Sequence, residues 1–109
     1  MFFKIDNELF NYSNLKYFEY YNEILEIYFN GNVASKIKQS EEEFLEFIKI
    51  IKENKDIILL NNYYIGCNLK NISGFSEKEN TILIYFVDGL FKKFDNLSFE
   101  QIEKQILGE

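Results

Sequence analysis

The sequence predicts an α+β fold: two tandem β-rich repeats, each ending in a helix, with antiparallel sheets and two helices packed around one shared core. Three observations point to it. The stretch NEILEIYFNG at residues 22–31 returns as NTILIYFVDG at residues 80–89. Short apolar segments alternate with turns rich in Asn, Asp and Gly, the pattern of strands joined by hairpins. Each half then closes on Ser-x-x-Glu or Ser-x-x-Gln ahead of apolar residues at helical spacing.

Laid on each other, the halves (about 1–54 and 55–109) match in several places. Asn14-Leu15-Lys16 matches Asn68-Leu69-Lys70 at an offset of 54, and Ile27-Tyr28-Phe29 matches Ile84-Tyr85-Phe86 at 57. Gly31 with Gly89 and Ser40 with Ser98 follow at 58. The implied insertions fall at SEKE (76–79) and at VDG (87–89), both polar turns where extra residues cost little.

Each unit opens with two short strands, FFKI and ELFNY or DIILL and YYIGC, joined through an Asp-Asn or Asn-Asn pair that tolerates positive φ. LKYFEYY and LKNISGF supply a third strand, EILEIYF and TILIYFV a fourth, and NVASKIK and GLFKKFD a fifth. TILIYFV is apolar on both faces, which marks it as the most central strand. Ser40 with Glu43 and Ser98 with Gln101 predict capping boxes. Phe44, Phe47, Ile48 and Ile51 form one helical stripe, and Phe99, Ile102 and Ile106 a thinner one.

A chain of 109 residues with 47% hydrophobic and 18% aromatic residues has material for one buried core, and one unit alone would struggle to make it. No apolar run reaches the roughly 20 residues of a membrane helix, and the N-terminus lacks a signal-peptide pattern. The single cysteine, Cys67, sits among apolar neighbours and reads as a buried thiol in a reducing cytoplasm.

The absence of His removes the Ser–His–Asp and Cys–His arrangements and, with one Cys, structural zinc. The glycines are scattered singly, so no phosphate-cradling loop is present. No catalytic residue, cofactor or metal is expected, and the chain reads as a non-enzyme.

Twelve lysines and no arginine stand against 18 carboxylates, for a net charge of −6. SEEEFLE at residues 40–46 complements the helix dipole. With Glu19, Glu23 and Glu26, the residues Glu41, Glu42, Glu43 and Glu46 could form one acidic surface. Tyr17, Tyr20, Tyr21 and Tyr28 would supply contact area beside it. Lys92 and Lys93 are adjacent on a strand and point to opposite faces, so they make no basic patch.

The repeated order of four or five strands and a helix resembles the PUR-repeat and Whirly families, a likeness of topology that implies single-stranded nucleic-acid binding. Small size, acidity and an AT-rich residue usage resemble proteins of phages and mobile elements, among them anti-CRISPR proteins. The leading expectation is therefore an acidic protein-binding inhibitor covering a basic nucleic-acid-binding surface, with a CRISPR effector as the possible partner. Nucleic acid and membrane are not expected as partners, and the chain would be a monomer or homodimer. The alternative is a single-stranded nucleic-acid binder.

Overall fold

A computed structural model describes residues 2–108. Its first half runs β1 (Phe2–Ile5), β2 (Glu8–Asn11), a 3-10 turn (Tyr12–Asn14), β3 (Leu15–Tyr21), β4 (Ile24–Phe29), β5 (Val33–Lys38) and α1 (Glu41–Ile51). The second half runs through the same order: β6 (Ile57–Leu60), β7 (Ile65–Asn68), a 3-10 turn (Leu69–Asn71), β8 (Ile72–Lys78), β9 (Thr81–Phe86), β10 (Phe91–Phe94) and α2 (Phe99–Leu107). The α+β class expected from the sequence is the one observed.

All strand pairs are antiparallel, in three sheets. β1 and β2 form a hairpin, β8, β9 and β10 a three-stranded sheet, and five strands join in the order β5-β4-β3-β7-β6. The second half thus lends its first hairpin to the first half's sheet. Hairpin turns fall at the Asn-rich pairs: Asn22, Glu23, Glu79 and Asn80 all have positive φ, as two-residue turns between right-twisted strands require.

Strand pairing gives a different correspondence between the halves from the one suggested by the sequence. Tyr28 faces Ala34 as Tyr85 faces Phe91, and Glu26 faces Lys36 as Leu83 faces Lys93. β3 and β8 each carry a bulge, between Leu15 and Tyr17 and between Ile72 and Gly74. All of these pairs are 57 residues apart. The Asn-Leu-Lys match at 54 is therefore a coincidence three residues out of register, since Asn68-Leu69-Lys70 belongs to the cap and start of a 3-10 turn. The length changes fall instead in the β6–β7 turn and just before α2.

Side chains alternate between the faces of the five-stranded sheet, and the buried ones separate into two clusters. Phe18, Tyr20, Leu25, Ile27 and Ile57 pack with β1 and with Phe44, Phe47, Ile48 and Ile51 of α1. Tyr17, Ile58, Leu60, Ile65 and Cys67 pack on the other face with Ile82, Ile84, Phe86 and Phe94, and with Ile102 of α2. β3, flanked by β4 and β7, is covered on both faces, as is β7 beside it. β9, expected at the centre, is buried on one face only. Gly66 on β7 is required here: it lies opposite Phe18, whose ring occupies the place of a Cβ.

Ser40 and Glu43 form the expected reciprocal box on α1. On α2 only half of it exists. Ser98 accepts from Gln101 N, but the Gln101 side chain turns away to accept from Asn61 N at 2.6 Å.

The halves are further joined by buried amides. Asn68 Nδ2 donates to the Tyr12 and Leu15 carbonyls (2.9 and 3.0 Å), and Asn71 Nδ2 to those of Ser13 and Leu15 (2.8 and 2.6 Å). Lys16 at the β3 bulge is also buried, and its ammonium lies 3.1 Å from Asp88 and over the Phe86 ring.

Candidate nucleic-acid interface

The acidic and tyrosine residues singled out in the sequence do not form one surface. Tyr17 and Tyr20 are buried on opposite faces of the five-stranded sheet. Tyr20 stacks on Phe44 (ring centroids 4.0 Å apart) and donates its hydroxyl to the Gln39 carbonyl. Glu41, Glu42, Glu43 and Glu46 are exposed on α1. Of these, Glu41 shares an open cleft with Tyr20, Tyr21, Asn22, Glu23 and Tyr64. The remaining candidates, Glu19, Glu26 and Tyr28, gather elsewhere.

Glu19 and Glu26 face each other across β3 and β4, a like-charge pair that costs stability unless compensated. Compensation is unequal. Glu26 accepts from the hydroxyls of Tyr21 and Tyr28 (2.7 and 2.9 Å) and has Lys36 at 3.7 Å. Burial pushes its carboxyl up, but those donors outweigh it and leave the pKa below the ordinary value. Glu19 has only Lys92, at 3.9 Å; burial, aided by Glu26, raises its pKa. Burial and the Glu26 carboxylate hold the Tyr28 hydroxyl up at about 12. This cluster is an internal polar seam where the second half meets the first, with its hydrogen bonds and charges spent inside the molecule.

The outward face of the three-stranded sheet is different. Tyr85, Phe91, Lys78 and Lys93 are exposed on it, and pairing arranges it in three cross-strand rows: Gly74, Tyr85 and Phe91; then Ser76, Leu83 and Lys93; then Lys78 and Thr81. Phe91 is 65% exposed and Tyr85 39%, with ring centroids 6.5 Å apart. The Tyr85 hydroxyl lies 3.2 Å from Ser76 Oγ, and Thr81 donates to Asp95 at 3.2 Å. Leu83 lies with Lys78, Glu79, Thr81 and Lys93 around a shallow depression. Lys92 points to the opposite side, towards Glu19, as the alternation predicts. Aromatic faces beside cationic and hydroxyl donors are the ingredients of a nucleic-acid platform.

The sequence reading missed this face because it weighed Lys92 and Lys93 together. The useful signal was the outward series Leu83, Tyr85 with Phe91 and Lys93, visible once β9 and β10 are read at period two.

Among the described residues, no cluster of three or more His, Cys, Asp or Glu side chains could hold a metal. No helix in them is long and apolar enough to cross a membrane.

No family model matches the chain, and no curated protein matches it. Among solved structures it is similar to the LytTr DNA-binding domain of a Bacillus cereus protein described as a methyl-accepting/DNA response regulator. That likeness has a TM-score of 0.61 at 15% identity and covers 100% of this chain and 96% of the other. The fold is thus LytTr-like, which replaces the expected likeness to PUR-repeat and Whirly proteins; no match to anti-CRISPR proteins accompanies it. The reading as an acidic inhibitor of a CRISPR effector, with nucleic acid set aside as a partner, is corrected on the same ground. A structural reason accompanies the correction: the skin of acids and tyrosines it needs is divided, and much of it is internal.

Proposed function

We propose that the chain is a DNA-binding domain without enzymatic activity, acting in the cytoplasm. The observation that carries this reading is the likeness over its full length to a domain described as DNA-binding. The exposed aromatic and lysine-bearing face of the three-stranded sheet supports it.

The charge sets the strength. With a net charge of −6, long-range attraction to phosphate is absent, so binding depends on contacts made within about a Debye length of 8–10 Å. Half of the twelve lysines, Lys16, Lys36, Lys49, Lys70, Lys92 and Lys104, already have carboxylate partners within the chain, which lowers what they offer to phosphates. Affinity for arbitrary sequence is expected in the micromolar range or weaker, about 10⁻⁶–10⁻⁴ M, with a shallow salt dependence.

Fluorescence anisotropy with labelled duplex and single-stranded DNA at low salt tests the reading. Saturable binding of either form supports it. Absence of binding to both, with the protein folded by circular dichroism, removes it.

A further inference from the structure

We infer that the outward face of the three-stranded sheet takes an unpaired stretch of DNA. Its bases stack on Phe91 and Tyr85, and its backbone passes Lys93 and Lys78. The inference rests on the DNA-binding reading and specifies the form of DNA and the surface.

Shape is the first argument. The outer backbones of a three-stranded sheet stand roughly 10 Å apart before side chains are added. The minor groove is about 6 Å wide, and the major groove, about 12 Å wide, admits a helix or a two-stranded ribbon. With side chains added the sheet is too wide for the minor groove and leaves little clearance in the major one, and in a duplex the flat faces of the bases are already stacked on one another. Unpaired bases present their π-faces to such a surface, and stacking on them is tolerant of sequence.

Charge is the second argument. The outward ionisable side chains of the three rows are Lys78 and Lys93; Glu79 lines the same depression, and Asp95 lies beside Thr81, already accepting its hydroxyl. This patch is thus balanced in charge, on a chain where carboxylates outnumber lysines 18 to 12. The hydroxyls of Ser76 and Thr81 add donors suited to phosphate oxygens. A single strand also carries a lower charge density than a duplex, so an acidic protein repels it less.

The two halves supply the third. The counterpart of this face in the first half has Glu26 where Leu83 stands and Tyr17 where Gly74 stands. Tyr17 closes it by stacking on Tyr28 (4.4 Å) and Phe86 (5.5 Å). Only the second copy keeps the face open.

The test is an anisotropy titration of labelled oligothymidylate, and of a duplex of the same length, with the full chain at low salt. It includes Phe91→Ala, Lys93→Gln and, as a control on the exposed flank of α1, Leu45→Ala. The single strand is expected to bind about tenfold or more tighter than the duplex, and Phe91→Ala to weaken it about tenfold. Lys93→Gln should lower the salt slope by about 0.7, the contribution of one phosphate contact on a single strand. Leu45→Ala should bind as the wild type does.

Duplex binding equal to or tighter than single-strand binding overturns the inference while DNA binding stands. So does a folded Phe91→Ala chain with unchanged affinity. Dimerisation that Phe91→Ala abolishes assigns the face to a second copy and overturns it too. Failure of both DNA forms to bind removes the DNA-binding reading itself.

Discussion

Tyr17 and Gly74 occupy equivalent places in the two halves, each directly after a bulge at the start of a long strand. The first is buried and stacked on Tyr28; the second leaves Tyr85 open to solvent. That exchange separates two copies of one unit into different roles. Where the ring is present, the sheet face becomes an internal seam against Phe86 and Phe94. Where it is absent, the same face is left free. One residue at a strand row can thus decide whether a duplicated sheet adds to the core or to the surface.

The largest test is to exchange the two. Tyr17→Ala should cost about 3–5 kcal/mol in a denaturant melt, as loss of a buried aromatic does. Gly74→Tyr should leave stability within about 0.5 kcal/mol, since a Cβ there meets nothing within 4 Å. It should also weaken DNA binding by covering Tyr85. Equal costs at the two positions would erase the distinction drawn between the halves.

A second contrast lies in the turns after β4 and β9. Asp88 accepts from Gly31 N and Leu90 N and pairs with buried Lys16, whereas its counterpart, Gly31, has no side chain to offer. Asp88→Ala should cost about 3 kcal/mol by stranding the ammonium. Burial pushes the Asp88 carboxyl up, but the Leu90 amide, Lys16 and the Gly31 amide outweigh it and lower its pKa in the folded chain. Stability from this group is therefore present above the unfolded value near 4 and lost as pH falls through the folded one. In urea melts across pH, Asp88→Asn should flatten the acid limb below about pH 4.

Gly66 and its counterpart Leu9 give a third. β7 lies inside a five-stranded sheet against Phe18, while Leu9 is 68% exposed in a two-stranded hairpin. Gly66→Ala should lose about 1–3 kcal/mol through overpacking, and Leu9→Ala less than about 0.5. The smallest contrast is Asn71 against Asn14. Asn71→Ala leaves the Ser13 carbonyl without that buried donor and should cost about 1–2 kcal/mol. Asn14 is exposed, and its replacement by Ala should go nearly unnoticed in the same melt.

Local signals in the sequence were read well, and long-range ones less so. The stripe of Phe44, Phe47, Ile48 and Ile51, the Ser40 box and the hairpin turns depend on residues near one another, so spacing suffices to find them. The centrality of β3 does not follow from its own pattern, because it depends on β7 arriving from the other half. Period two divides Tyr17 from Tyr20 but says nothing about which face is covered; both are buried. The same blindness hid Tyr85 and Phe91. Gly74 leaves Tyr85 open and Phe91 lies beside it on the edge strand, an arrangement that appears only when the strands are aligned in space.

Cys67, on β7 beneath Tyr17, is fully buried, and burial, with Glu19 adding to it, pushes its thiol up to about 12. A thiol so placed reacts only when that face of the five-stranded sheet separates from Ile82, Ile84 and Phe86 of the three-stranded one, or when β7 leaves the sheet. The speed at which an alkylating reagent marks native protein is therefore a clock for that separation, built into the chain without any label having to be added.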